Sequence, residues 1–486
     1  MRLAQGFRLR LRTLIRKAAA WRLLVVGLCV GVAWLVLQVC GRLAAASFSK
    51  ALEEAESAGM ALRSALSPVC DDREALAAGG YLEAAALLAK SAWECDPEFM
   101  NRVDGAYWAP WYGHGVNADD GEVLRQFYER SEPVRLLAEK ARETGNACFR
   151  VDFSAVGVTQ LADERRLRSG GECLARAMAC FAEHERASGG DPCKWVLSML
   201  EVARAFRGVP DADAFTNSRC RTYLLAKAEL EALLSRGKLK DDSLSQVQAG
   251  LSARRADPWA PPVVRAETAL LARRIAHPRE ALVMLRMQHP GQVSAPWAER
   301  LSCVGKWRGA AELRDCVRAY GIATEPLLDQ YQWLRETGFG LEPQMPHDLA
   351  VRLGLARPGE EGPETPPESV FAMIVRTGLQ AHAVLAVSET GCAVERFRLS
   401  RGRWPADLAE LVPSFLQSVP MDPIDGKPIK YARTSYGVCI YSAGATLLTS
   451  DRPALETKFP GPMNTAVAGA YTFALRTEAL RVETGR

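Results

Sequence analysis

From Leu23 to Cys40 the chain reads LLVVGLCVGVAWLVLQVC without a charged side chain. At about 1.5 Å per residue, a helix of that length approaches the roughly 30 Å hydrocarbon core of a bilayer. The pattern predicts one transmembrane helix over 23–41. From 43 to 357 alanine and leucine recur at helical spacing, punctuated at Gly79-Gly80, Ser169-Gly170-Gly171, Gly189-Gly190-Asp191-Pro192 and Pro258-Trp259-Ala260-Pro261-Pro262. That is the signature of successive short helices, and strand-like alternation is rare. Residues 358–368 (PGEEGPETPPE) carry no apolar side chain beyond their prolines, so an extended linker and a domain boundary are expected there. A helix from about Ser369 then leads into a small α+β module, 369–453, with a short antiparallel hairpin. Within the tail 454–486, Val467, Ala470, Tyr471, Phe473, Ala474 and Leu475 suggest a closing helix over about 464–481. The fold class is mainly α: a basic tail (1–22), one transmembrane helix, a helical body (43–357) and the C-terminal module.

Charge orients this plan. Arg2, Arg8, Arg10, Arg12, Arg16, Lys17 and Arg22 precede the apolar run with no acid among them, whereas Glu53, Glu54 and Glu56 follow it. By the positive-inside rule the N-terminus lies in the cytoplasm and the body is exported, as in a single-pass inner-membrane protein with a periplasmic or extracellular body. Trp21 stands where an interfacial aromatic belongs. The competing reading is a cleaved signal peptide, for which Ala44-Ala45-Ala46 offers a processing site, but the apolar run exceeds the usual 7 to 15 residues of such a core. Both readings export the body. The formal charge of +4 includes +7 from the first 22 residues and leaves −3 for the rest, so nothing drives nucleic-acid binding. Thirteen cysteines occur without a C-x-x-C pair, which argues against zinc, haem or thioredoxin-like sites. Cys173 and Cys180 share a helix face too far apart to bridge. Disulfides among the others are permitted in an oxidising compartment, and the odd count leaves at least one thiol over or paired between chains.

Two segments resemble known families. GYLEAAALLAKSAWECDPE, Gly80 to Glu98, resembles the second helix of a tetratricopeptide repeat, with Gly80 before the helix, Ala85 and Ala92 seven apart, and Asp96-Pro97 closing it. GKWRGAAELRDCVRAYG, Gly305 to Gly321, is a weaker echo, and no 34-residue period joins them. An irregular bundle and a degenerate helical-hairpin array both stay open; the array would present a concave face to a protein partner. Over 393–444, Phe397-Arg398 ends a helix, Gly402-Arg403-Trp404-Pro405 turns out of it, Leu408 and Leu411 open the next turn, and Pro420, Asp422-Pro423 and Gly426-Lys427-Pro428 precede two strands. This order resembles the C-terminal region of the major pseudopilin of type II secretion systems. The resemblance implies a small packed module and, in the true pseudopilins, a calcium ion after the last strand. Here that stretch is Gly444-Ala445-Thr446-Leu447-Leu448 and its first acid is Asp451, which argues against the six to eight oxygens calcium wants. The span also lacks the pseudopilin glutamate, which argues against a filament subunit.

Candidate structural or docking residues are Trp404 and Pro405 covering a helix end, Asp422, Pro423, Asp425 and Gly426 forming turns, and Tyr431 on the first strand. Tyr107 to Gly115 (YWAPWYGHG) reads as an aromatic loop that folds onto the core or contacts sugars or a partner. No P-loop, H-E-x-x-H or G-x-S-x-G occurs, and the six histidines stand apart from metal-ligand spacings. No catalytic, cofactor-binding or metal residue is therefore assigned. Two functions compete: a membrane-tethered scaffold holding a protein partner, and a cell-envelope hydrolase whose site is assembled from distant residues.

Overall fold

The computed structural model describes residues 42–62, 71–90, 96–108, 118–149, 158–209, 218–236, 239–257, 260–276, 302–336, 370–434, 437–442 and 472–476, with scattered positions over 32–40. Most of the 23–41 run lies outside these residues, as do the 358–368 linker, 109–115 of the aromatic loop, Ala92 and 443–471. Among the described residues no helix is long and apolar enough to cross a membrane.

The chain divides into two compact units, Met1–Leu62 with Thr268–Arg318, and Arg63–Glu267 with Ala319–Arg486. In the first, helical residues 42–57 bury Phe48 and Ala51 with Ala310 and Leu313, and Arg314 pairs with Glu54 at 3.4 Å.

In the second unit the helices are α1 (Asp72–Leu88), α2 (Pro97–Trp108), α3 (Ala118–Arg130), α4 (Glu132–Thr144), α5 (Val158–Ser188), α6 (Cys193–Ala205), α7 (Cys220–Arg236) and α8 (Asp241–Arg255), with α9 (Ala260–Ala276) and α10 (Ser302–Thr324) crossing between units. They continue as α11 (Leu327–Glu336) and α12 (Val370–Arg401). Asp71 starts α1 by a capping box: its side chain accepts from Glu74 N–H at 2.7 Å while the Glu74 carboxylate accepts from Asp71 N–H at 3.4 Å. Gly80, expected before a helix, therefore sits inside α1. Its use is close packing, because a Cβ there would stand 2.9 Å from that of Ala141 on α4. Ala85 in turn faces Gly170 on α5, where an added Cβ would come within 3.2 Å of it. Small residues thus let α1 approach both neighbours. Phe127 stacks on Phe181 with ring centroids 5.5 Å apart, and Phe181 meets Trp195 edge-on at 5.1 Å.

Three antiparallel strands complete the unit: β1 (Lys430–Thr434), β2 (Gly437–Tyr441) and β3 (Thr472–Arg476), in the order β1-β2-β3. The expected hairpin is present, but Thr434, expected in its turn with Ser435, is the last residue of β1 and lies opposite Gly437. The third strand replaces the helix expected over 464–481. Phe473 and Leu475 alternate onto one face opposite Ile440 and Val438, and all four side chains are wholly buried. A period of two, not 3.6, satisfies both the ladder and the core. α12 packs on β2, β3, α7 and α8, so the segments on either side of 358–368 share one core.

Candidate functional site

The seven candidate residues lie on the segment leading from α12 into the sheet. α12 ends where Gly402, at φ +69°, donates to Arg398 O at 2.8 Å. Trp404 follows, with the Arg398 guanidinium 5.3 Å from its ring. Pro405 offers its carbonyl to Tyr431 Oη at 2.9 Å, tying the helix exit to β1. Burial pushes the Tyr431 phenol up to about 12, so it donates at any physiological pH. Asp407 caps the 3-10 turn Leu408–Leu411. Asp422 is buried and accepts from Ile424 N–H at 2.9 Å and from Ser442 Oγ at 2.8 Å, pinning the turn to the end of β2. Gly426, at φ +66°, closes that turn onto Asp422 O at 3.0 Å. Asp425 accepts from Lys427 N–H at 3.0 Å and Lys430 Nζ at 2.7 Å. Partial burial would raise its pKa, but these donors outweigh it and the net shift is downward. Ile424 joins Leu334, Ala372, Val375 and Leu379 in a core that seats the turn on α11 and α12. The aspartates are thus occupied in turn and cap geometry. Among the described residues no three His, Cys, Asp or Glu side chains gather as metal ligands.

Beside this segment lies an open cleft of about 560 Å³. One wall is α8 and its C-cap, where Ser245, Ala249, Ser252 and the capping Ala256 present small side chains; the other is 413–418, which follows the cis Val412-Pro413 bond, and α12 contributes Glu389 and Arg396. Gln248 braces the two walls: its Nε2 donates to Phe415 O at 2.6 Å, and its Oε1 accepts from Arg396 at 3.0 Å. Arg396 also reaches Asp241 at 2.9 Å, Arg255 holds the buried Glu389 at 2.8 Å, and the Phe415 ring meets Phe397 edge-on at 5.7 Å. The volume lies within the usual 300–1,000 Å³ of ligand sites, but serines, glutamines and paired charges line much of it. Such a lining offers hydrogen-bond donors and acceptors along both walls.

Among the described residues the lining contains four serines and Glu389, with no histidine or cysteine. His184 instead stacks on Tyr128, ring centroids 4.1 Å apart. His382 lies inside α12, pushed down to about 4 first by burial and then by the charges of Arg255 and Arg219. Cys148 is disulfide-bonded, while Cys173 and Cys180 are both free thiols. Sequence reasoning missed Gln248, Arg255, Glu389 and Arg396, whose partners lie 134 to 167 positions away. No local pattern carries such a signal. Comparison with known proteins finds no matching family model, curated protein or solved structure.

Proposed function

We propose that this chain is a membrane-anchored interaction scaffold of a bacterial cell envelope, its helical body and pseudopilin-like module holding a protein partner of a secretion or pilus-like assembly. The observation that supports this reading is the polar cleft between α8 and the 413–418 segment, whose described lining offers hydrogen-bonding side chains to a peptide. Anchoring through 23–41 is supported by Val32, Leu35, Val36, Val39 and Leu43, each about half exposed or more; a run of exposed apolar side chains suits lipid. Export is supported by the Cys148 disulfide, a bond at home in oxidising compartments.

A photo-crosslinking residue at Gln417, in the cleft wall, is expected to give a discrete adduct in intact cells that the same residue at the exposed Leu136 of α4 does not. Equal labelling from both positions, or none from Gln417, removes the cleft as the docking site.

A further inference from the structure

Outside the cleft, the end of α6 and the 3-10 turn Phe206–Gly208 bring Arg204 and Arg207 close to Arg254 of α8. Three carboxylates stand among them, and each already has an arginine of its own. Glu74 accepts from Arg207 and Glu201 from Arg254, and Asp257 lies 3.9 Å from Arg219. Arg204 shares Glu201 with Arg254, so among the described residues four arginines face three carboxylates. The Nη1 of Arg204 is 3.9 Å from Glu201 Oε2, beyond hydrogen-bond range. Arg204 is only 9% exposed, and neither its Nε nor its Nη1 has a hydrogen-bond partner. Burial depresses its pKa, and the like charges of Arg254 and Arg207 add to that, against a smaller opposing pull from Glu201 and Asp257.

A guanidinium does not deprotonate in a protein, so the field of three crowded cations is relieved by a counter-charge and not by losing a proton. Buried charge without such compensation is strongly destabilising. The rim of the cluster meets solvent at Arg207 and Asp257, whose side chains are each 28% exposed, and Arg204 Nε and Nη1 lie beneath it. We propose that Arg204, flanked by Arg207 and Arg254, is the centre of a binding site for a small oxyanion of the phosphate or carboxylate class. Arginine suits this role because its planar fork of donors matches such groups where lysine offers only a point charge. The site is distinct from the cleft: Arg204, Arg207 and Arg254 do not line it.

Thermal unfolding of the full-length protein in detergent, titrated with inorganic phosphate or with acetate against chloride at constant ionic strength, tests this. An oxyanion bound only by the folded state raises the midpoint progressively with the logarithm of its concentration. The expected result is such a rise for the wild type, its loss in Arg204→Met, and a weakened rise in Arg204→Lys, which keeps the charge but not the fork. A response to phosphate alone assigns the phosphate class, and a response to both assigns carboxylates as well. No oxyanion-specific rise in the wild type, or an undiminished rise in Arg204→Met, overturns the proposal. Should Arg204→Met not fold, direct phosphate titration calorimetry on wild type and Arg204→Lys decides it, equal affinity in the two being the overturning result.

Discussion

His382 shows how much a residue's surroundings decide. In the sequence it is one isolated histidine in a helical stretch, where a surface or satisfied imidazole is the default. In the structure it lies within α12, and burial, reinforced by Arg255 and Arg219, holds its pKa near 4. The sign of the consequence follows from linkage. Between that value and the unfolded value of about 6.5, the unfolded chain binds a proton that the folded chain refuses. Stability is therefore full above about 6.5 and is lost as pH falls through that window. Denaturant unfolding of the wild type is expected to lose about 2 kcal/mol between pH 7 and pH 5 from this group. His382→Leu lacks that component, so the two proteins' stabilities converge or cross as pH drops. Parallel pH profiles for the pair would show that His382 titrates normally. Asp422 and Asp425 make the complementary point: their place in a turn was readable from Asp-Pro and Asp-Gly, but their partners Ser442 and Lys430 come from the folded sheet.

Among the elements, α12 and the β1-β2 hairpin were legible because each announces itself locally, one by a long apolar helical run and the other by alternation about a two-residue turn. The start of α1 was legible too, in Asp71-x-x-Glu74, a capping-box spacing that precedes the helix; weight placed on the repeat-like Gly80 hid it. β3 was not legible, because Thr472 to Arg476 is short and its partner strand is 35 positions upstream. Only the assembled sheet selects a period of two there. The seam between α12 and β3 makes this measurable. A Cβ on Gly391 would stand 2.5 Å from Cδ1 of the wholly buried Phe473, whereas one on the exposed Gly79 of α1 meets nothing within 4 Å. Both glycines are helical, so alanine offers each the same gain of up to about 1 kcal/mol in propensity. Gly79→Ala is expected to realise that gain. Gly391→Ala must displace a rigid ring, at a cost of about 1–3 kcal/mol, and is expected to come out destabilised. Urea midpoints of the two variants read the difference, and a stabilised Gly391→Ala would mean that β3 does not pack there.

At the scale of the whole molecule, α12 and the sheet are built into the same core as α7 and α8. Cutting the chain at the 358–368 segment would therefore remove core as well as module, which is why point labels and not truncations test the cleft. The proposed topology rests on the N-terminal 22 residues: seven basic side chains and no acid before an uncharged apolar run. If that asymmetry holds the leading segment in the cytoplasm, as the proposed function requires, everything after Arg42 is expected outside, where the Cys148 disulfide would form under oxidising conditions. Protease added to intact spheroplasts is expected to degrade the body while sparing cytoplasmic proteins. Cys148 is expected to resist a thiol-blocking reagent in denatured, unreduced extracts and to react after reduction. A signal anchor leaves a membrane-embedded fragment carrying the basic N-terminus; a cleaved signal peptide leaves a mature chain beginning near Ala46 and no such fragment. A body protected until the membrane is lysed, together with a Cys148 that reacts without reduction, would place it in the cytoplasm and remove the basis for an envelope scaffold.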